Sequence, residues 1–185
     1  MNRILAPKFL LTLLFPSFAT GETMDDLVKR EGIYYKKFTD VPFTGKVVGK
    51  TQGSLRNGKK HGPWVIYHKN GQLSSKGTYK DGKEDGPWVE YYKKGQLKSK
   101  GTYRDGTLDG PWVSYHKKYG LLFYKGTYKD GKEDGPWVSY HYNGQLFYKG
   151  TYKDGKEDGP WVSYNKDGTV NEKYTGTYKN GVEVK

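Results

Sequence analysis

The chain has 185 residues, no cysteine and a formal net charge of +12 at pH 7, which excludes a disulfide framework, thiol chemistry and cysteine-ligated metals and favours acidic partners. Only 34% of the residues are hydrophobic, yet 16% are aromatic, with five Trp and eighteen Tyr. Aromatics held at a fixed register exclude a solvated low-complexity chain, and the length suits one domain whose buried material is Tyr and Trp rather than aliphatic.

In chain order, Arg3 and Lys8 precede an apolar run at residues 9–15, followed by Pro16 and the small residues Ser17 and Ala19. This reads as a cleavable secretory signal peptide over residues 1–19, cut after Ala19. The run is far shorter than the roughly 20 residues a bilayer span needs, so the mature chain is expected to carry no transmembrane segment. Residues 20–33 read as an N-terminal linker or short helix, with a turn or two of helix over residues 25–30. The repeat domain is expected over residues 34–185. It opens with residues 34–38 and 43–48 as a worn first hairpin closed by Asn57-Gly58.

A Gly-Pro-Trp triplet then recurs five times, and Trp64, Trp88, Trp112, Trp137 and Trp161 are separated by 24, 24, 25 and 24 residues. Such a period marks a repeat architecture. Each unit holds two strand-like runs around a turn, at Asn70-Gly71, Lys94-Gly95, Lys118-Tyr119-Gly120, Asn143-Gly144 and Asp167-Gly168. A two-residue loop pairs His68 with Leu73, Ile66 with Ser75 and Trp64 with Gly77. The same count pairs Trp88 with Gly101 and Trp137 with Gly150. A three-residue loop in the third unit keeps Trp112 opposite Gly126. Each indole is expected to cover its cross-strand glycine. Residues 80–87 and their copies read as turns between hairpins. The expected fold is all-β: an elongated, single, twisted antiparallel sheet of tandem β-hairpins of ~24 residues each.

Alternation along the strands places Trp88, Tyr92, Leu97, Gly101 and Tyr103 on a buried face, with Val89, Tyr91, Lys98, Lys100 and Thr102 on a wetter one. There Tyr67, Tyr91, Tyr115, Tyr140 and Tyr164 share one register. With Lys98 and Lys100 they form the candidate interaction face, an aromatic and basic strip; the competing reading is that these tyrosines only cover the sheet. His68, His116 and His141 also share a register, but equivalent residues two strands apart stand about 9.6 Å from one another, too far to bind one zinc ion. Glu84-Asp85, Glu133-Asp134 and Glu157-Asp158 read as solvated turn carboxylates rather than calcium ligands. No asymmetric catalytic constellation stands out from the period, so the expectation is a non-enzyme without cofactor or metal.

The run Gly77-Thr78-Tyr79-Lys80-Asp81-Gly82-Lys83-Glu84-Asp85-Gly86-Pro87-Trp88 resembles the core of a MORN repeat, and His61-Gly62 keeps a His-Gly pair common there. The Pro-Trp and following Val-x-Tyr are similar to the variant repeats of bacterial YwqK-type proteins, and residues 41–48 to their N-terminal unit. The resemblance covers about residues 34–185. It implies a hairpin-repeat fold, an antitoxin label, and a scaffold that binds proteins or associates with lipid. Combined with the leader, these readings describe an exported protein, periplasmic or extracellular, that binds an acidic protein partner through the strip. Antitoxin-like neutralisation is one version of that. The alternative is a module for cell-wall glycan or anionic lipid. Nucleic acid would suit the strip, but export separates the two.

Overall fold

The computed structural model describes residues 21–184, and the expected signal peptide lies outside them. Most of these residues lie in strands, and two 3₁₀ turns are formed at Met24–Asp26 and Glu172–Tyr174. Hydrogen-bonded pairing runs continuously from Gly45–Val48 to Val182–Val184, each strand antiparallel to the next. One parallel pair, Glu22 opposite Val47 and Thr23 opposite Val48, makes the sheet mixed where a wholly antiparallel one was expected. Among the described residues no helix is long and apolar enough to cross a membrane.

The expected Trp–Gly registers hold. Trp64 faces Gly77, Trp88 faces Gly101, Trp112 faces Gly126 and Trp137 faces Gly150. Trp161 extends the pattern to Gly176.

The turns are distributed differently from the expectation. Residues 80–87 are mostly strand: Lys80 pairs with Lys83 around Asp81-Gly82, and Lys83–Tyr91 is continuous. Asp81 and Gly82 have φ of +49° and +91°, the two positive values of a type I′ turn, whose twist suits a tight hairpin. The Asn70-Gly71 connection instead is a three-residue loop. The His68 amide donates to the Gln72 carbonyl at 2.8 Å, and the Gly71 amide to the His68 carbonyl at 2.9 Å. Gly71 alone takes a positive φ, +83°. Pairing shifts by one residue between Ile66 and Tyr67, so Tyr67, rather than His68, faces Leu73. The inserted residue of the third unit lengthens the corresponding loop to residues 117–120.

The N-terminal segment also departs from a linker or helix. Leu27–Arg30 pairs with Ile33–Lys36 in a separate two-stranded sheet. Residues 34–38 and 43–48 do not form a regular hairpin with each other; the Phe43 amide donates to the Tyr34 carbonyl at 2.9 Å beside an isolated Tyr35–Pro42 bridge, and Gly45–Val48 pairs with Thr51–Arg56. Leu27, Val47, Leu55, Trp64, Tyr79 and Trp88 form one buried cluster, with Met24, Tyr34 and Phe43 packed against it. The N-terminal hairpin therefore covers the first tryptophans.

Beyond that cover the core is a line of rings. Trp64, Tyr79, Trp88, Tyr103, Trp112, Tyr128, Trp137, Tyr152 and Trp161 follow one another edge to face, with centroids 4.8 to 6.5 Å apart. That arrangement suits aromatic quadrupoles. Burial pushes the Tyr79, Tyr128 and Tyr152 hydroxyls well above the ordinary phenol range. Each indole covers the glycine of the preceding unit, correcting the expected cover within one hairpin. A Cβ on Gly77 would lie 1.9 Å from Trp88 Cε3, and one on Gly101 2.1 Å from Trp112 Cε3. Gly126 and Gly150 meet Trp137 and Trp161 in the same way.

Candidate interaction faces

Opposite the indoles, strand pairing aligns one residue per strand into a row that crosses the repeats: Val65, Lys76, Val89, Lys100, Val113, Lys125, Val138, Lys149 and Val162. The four lysines are exposed, and the valines between them half-buried. None of the four joins an ion pair among the described residues. Successive lysines stand two strands apart, about 9.6 Å. The valines form an apolar floor on which the lysine stems rest while their ammonium groups reach water.

Tyr67, Tyr91, Tyr115 and Tyr140 flank this row, paired with Leu73, Leu97, Leu122 and Leu146. Tyr164 follows in register and bridges to Val170. All five are half-buried. Lys100 lies in the row, but Lys98 does not join it. The register shift between Glu90 and Tyr91 makes Lys98 the extra residue of a bulge. Its Nζ lies 2.8 Å from Glu90 Oε2, on the tryptophan side, where the Ser99 hydroxyl donates to the same oxygen at 3.0 Å. Burial pushes the Glu90 carboxyl up, but the bonds from Lys98 and Ser99 outweigh it and hold the group below the usual glutamate range. The expectation that grouped Leu97 with Trp88 and Lys98 with Tyr91 is corrected for the same reason: one unpaired residue reverses the alternation beyond it.

The residue four places after each of the first four tryptophans ties neighbouring units together. His68 Nε2 lies 2.9 Å from the Tyr91 carbonyl, and His141 Nε2 2.9 Å from the Tyr164 carbonyl. The Tyr92 hydroxyl donates to the Tyr115 carbonyl at 2.8 Å. A carbonyl only accepts, so each bonded Nε2 carries a proton. Asn70 and Asn143 repeat the device at the loop tips, donating to the Lys93 and Lys166 carbonyls. Spacing alone had shown only that the histidines share a register; it is the next unit's backbone that gives them partners.

The tryptophan face changes character along the chain. Ser75 and Ser99 in the early units are replaced by Tyr124 and Tyr148, which lie over Trp137 and Trp161. Phe123 and Phe147, 40% and 41% exposed, pack beside His116 and His141. At the C-terminal end this face holds a recess of about 330 Å³ whose lining includes Tyr148, Tyr152, Glu157, Trp161, Tyr174 and Tyr178.

The hairpin with its Trp–Gly pair and its two turns is thus the unit from which both faces are built. Residues 60–81, 84–105 and 133–154 match the MORN repeat variant. No curated protein matches the chain. The MORN-like stretches each run from four residues before a tryptophan to the Asp of the next type I′ turn. The unmatched interval between the second and third contains the longer loop at 117–120 and Leu108 in place of the glutamate of its neighbours. MORN repeats generally engage proteins or membrane lipids.

Proposed function

We propose that the protein is a non-enzymatic, exported scaffold that docks an acidic protein partner on its Val/Lys/Tyr face, with antitoxin-like neutralisation as one form of that docking. The observation that carries this reading is the row of four exposed lysines without ion-pair partners, set at a constant interval on an apolar floor. An acidic strand edge or helix face laid across the hairpins meets one ammonium group every second strand. Charge then sets on-rate and register, and the valines and tyrosines supply contact area. Repetition also argues against catalysis: the face presents one arrangement several times over, whereas a reaction needs a singular set of groups. Export rests on the leader.

The test uses the chain as bait in a host envelope extract, beside a Lys76→Ser/Lys100→Ser/Lys125→Ser/Lys149→Ser variant. A stoichiometric acidic protein, released by salt and absent from the variant, is the expected result. Retention of that protein by the variant would overturn the reading. Anionic lipid is the second reading, favoured by the lysines pointing from one sheet face, each adding about 1 kcal/mol near a charged membrane. Flotation with anionic but not neutral vesicles, lost in the same variant, would replace the protein partner with a membrane surface. Binding of cell-wall glycan that persists in high salt would replace both.

A further inference from the structure

The two ends of the aromatic line are chemically opposite. At the first unit, Lys60 occupies the position four residues before Trp64. Its ammonium nitrogen lies 4.7 Å from the Trp64 ring centroid and 4.6 Å from that of Tyr79. The side chain is half-buried; burial lowers its pKa, while the Glu84 carboxylate opposes that shift. The fold thus already holds one alkylammonium group between a spine tryptophan, the tyrosine of the neighbouring strand, and a glutamate.

In the later units the Lys60 position is occupied by Glu84, Leu108, Glu133 and Glu157. The first three lie along the middle of the line, where a following tryptophan unit continues the stack. Glu157 lies at its end. It pairs across the strands with Tyr152, and its carbonyl accepts the Gly181 amide, so Tyr178 stands on the adjoining strand as Tyr79 does beside Lys60. Among the described residues no lysine or arginine lines the recess these residues form. Tyr174, on the Glu172–Tyr174 turn, closes one side and is 56% exposed. Lys173 lies 5.1 Å from the Tyr174 ring but is not part of the lining.

We propose that this recess is a binding site for a quaternary ammonium group, seated against Trp161 and its neighbouring tyrosines with Glu157 as counter-ion. Aromatic rings lining a cavity, with one carboxylate, favour a positively charged and weakly hydrated group over a neutral one of the same shape. The recess volume is at the lower end of the range for small-molecule sites. A sugar would also stack on these rings, but the Glu157 carboxylate, with no cationic side chain in the described lining to neutralise it, favours a cation. The site lies on the face opposite the lysine row, so it stands or falls independently of the acidic partner.

The experiment follows the five indole N–H resonances of the full chain during titration with choline, with the Trp161 signal identified by its loss in Trp161→Phe. Choline should shift the Trp161 resonance saturably and leave Trp64 and Trp88 in place. The neutral carbon isostere of choline should produce no shift at tenfold higher concentration. Glu157→Gln and Tyr174→Ala should each weaken binding at least tenfold with the other indole signals unchanged, which separates loss of the site from loss of the fold. Phosphatidylcholine vesicles form the second arm: a Trp161 response to vesicles without one to free choline, abolished by Tyr174→Ala, would assign the group to a lipid headgroup. An equal response to the neutral isostere, a response to glucose instead, unchanged affinity in Glu157→Gln, or no response in either arm would overturn the proposal.

Discussion

At the residue scale, two side chains set the rules of this fold, a tryptophan and the glycine beneath it. The pairing of Trp88 with Gly101 was legible because the hairpin registers fall at a constant interval. Which indole fills the space above Gly101 was not, since that glycine lies between two tryptophan strands and the direction of the side chain decides the matter. We expect Gly101→Ala to cost at least about 2 kcal/mol, because its Cβ would fall 2.1 Å from Trp112 Cε3. Indole spectra should show Trp112 displaced more than Trp88. Lys100→Ser, on the opposite face, should change stability by no more than about 0.5 kcal/mol. Lys98 gives the complementary lesson: period-2 alternation was counted through a bulge, and the count placed its charge on the wrong side. Its partner Glu90 has a depressed folded-state pKa. The pair's contribution is therefore complete above the ordinary glutamate range and disappears as the pH falls through the lower folded value. The stability gap between the wild type and Glu90→Gln should be present at neutral pH and close in acid. A gap that widens on acidification would contradict the pair.

At the scale of the element, each repeat contains two turns of different kinds, and the sequence reading assigns the tight two-residue geometry to the wrong one. The Asn-Gly rule was applied to residues 70–71, while Asp81-Gly82, Asp105-Gly106, Asp130-Gly131 and Asp154-Gly155 satisfy it equally well and are the type I′ turns. The nearby Gly-Pro pair favours a loop reading, although Gly86, with positive φ, and Pro87 are accommodated within the continuous strand Lys83–Tyr91. Asp105, at φ +49°, sits where a Cβ without local polar bonding is unfavourable. Asp105→Ala should lower the stability by about 1 to 2 kcal/mol, and Asp105→Asn should be close to neutral. Lys94, which has no positive φ, should tolerate alanine within about 0.5 kcal/mol. Equal urea midpoints for Asp105→Ala and Lys94→Ala would mean that the turn assignment is wrong. The N-terminal hairpin escaped sequence reading for another reason: Leu27–Arg30 and Ile33–Lys36 lack the repeat signature, and their role is to cover the first tryptophans.

For the whole molecule, the period makes the units interchangeable, but the ends are not. Excision of residues 83–106 removes one full period and joins Gly82 to Thr107, which holds the place of Lys83. The shortened chain should fold cooperatively with its near-ultraviolet signal per tryptophan preserved, because every remaining indole keeps a glycine and a tyrosine neighbour. Removal of residues 21–36 should be far more damaging, since it uncovers Leu27's partners and Trp64, which is 1% exposed. If the excised chain lost its structure and the truncated one kept it, stability would reside in the interior repeats rather than in the end cover. The continuous lateral pairing also has a mechanical consequence. Pulled by its termini, the sheet would present its strands to the force one at a time, so its backbone bonds would open in succession instead of sharing the load. The trace should be a staircase in which each released repeat lengthens the chain by about 70 Å, the extended reach of one 24-residue period less the roughly 10 Å that its two strands span in the sheet.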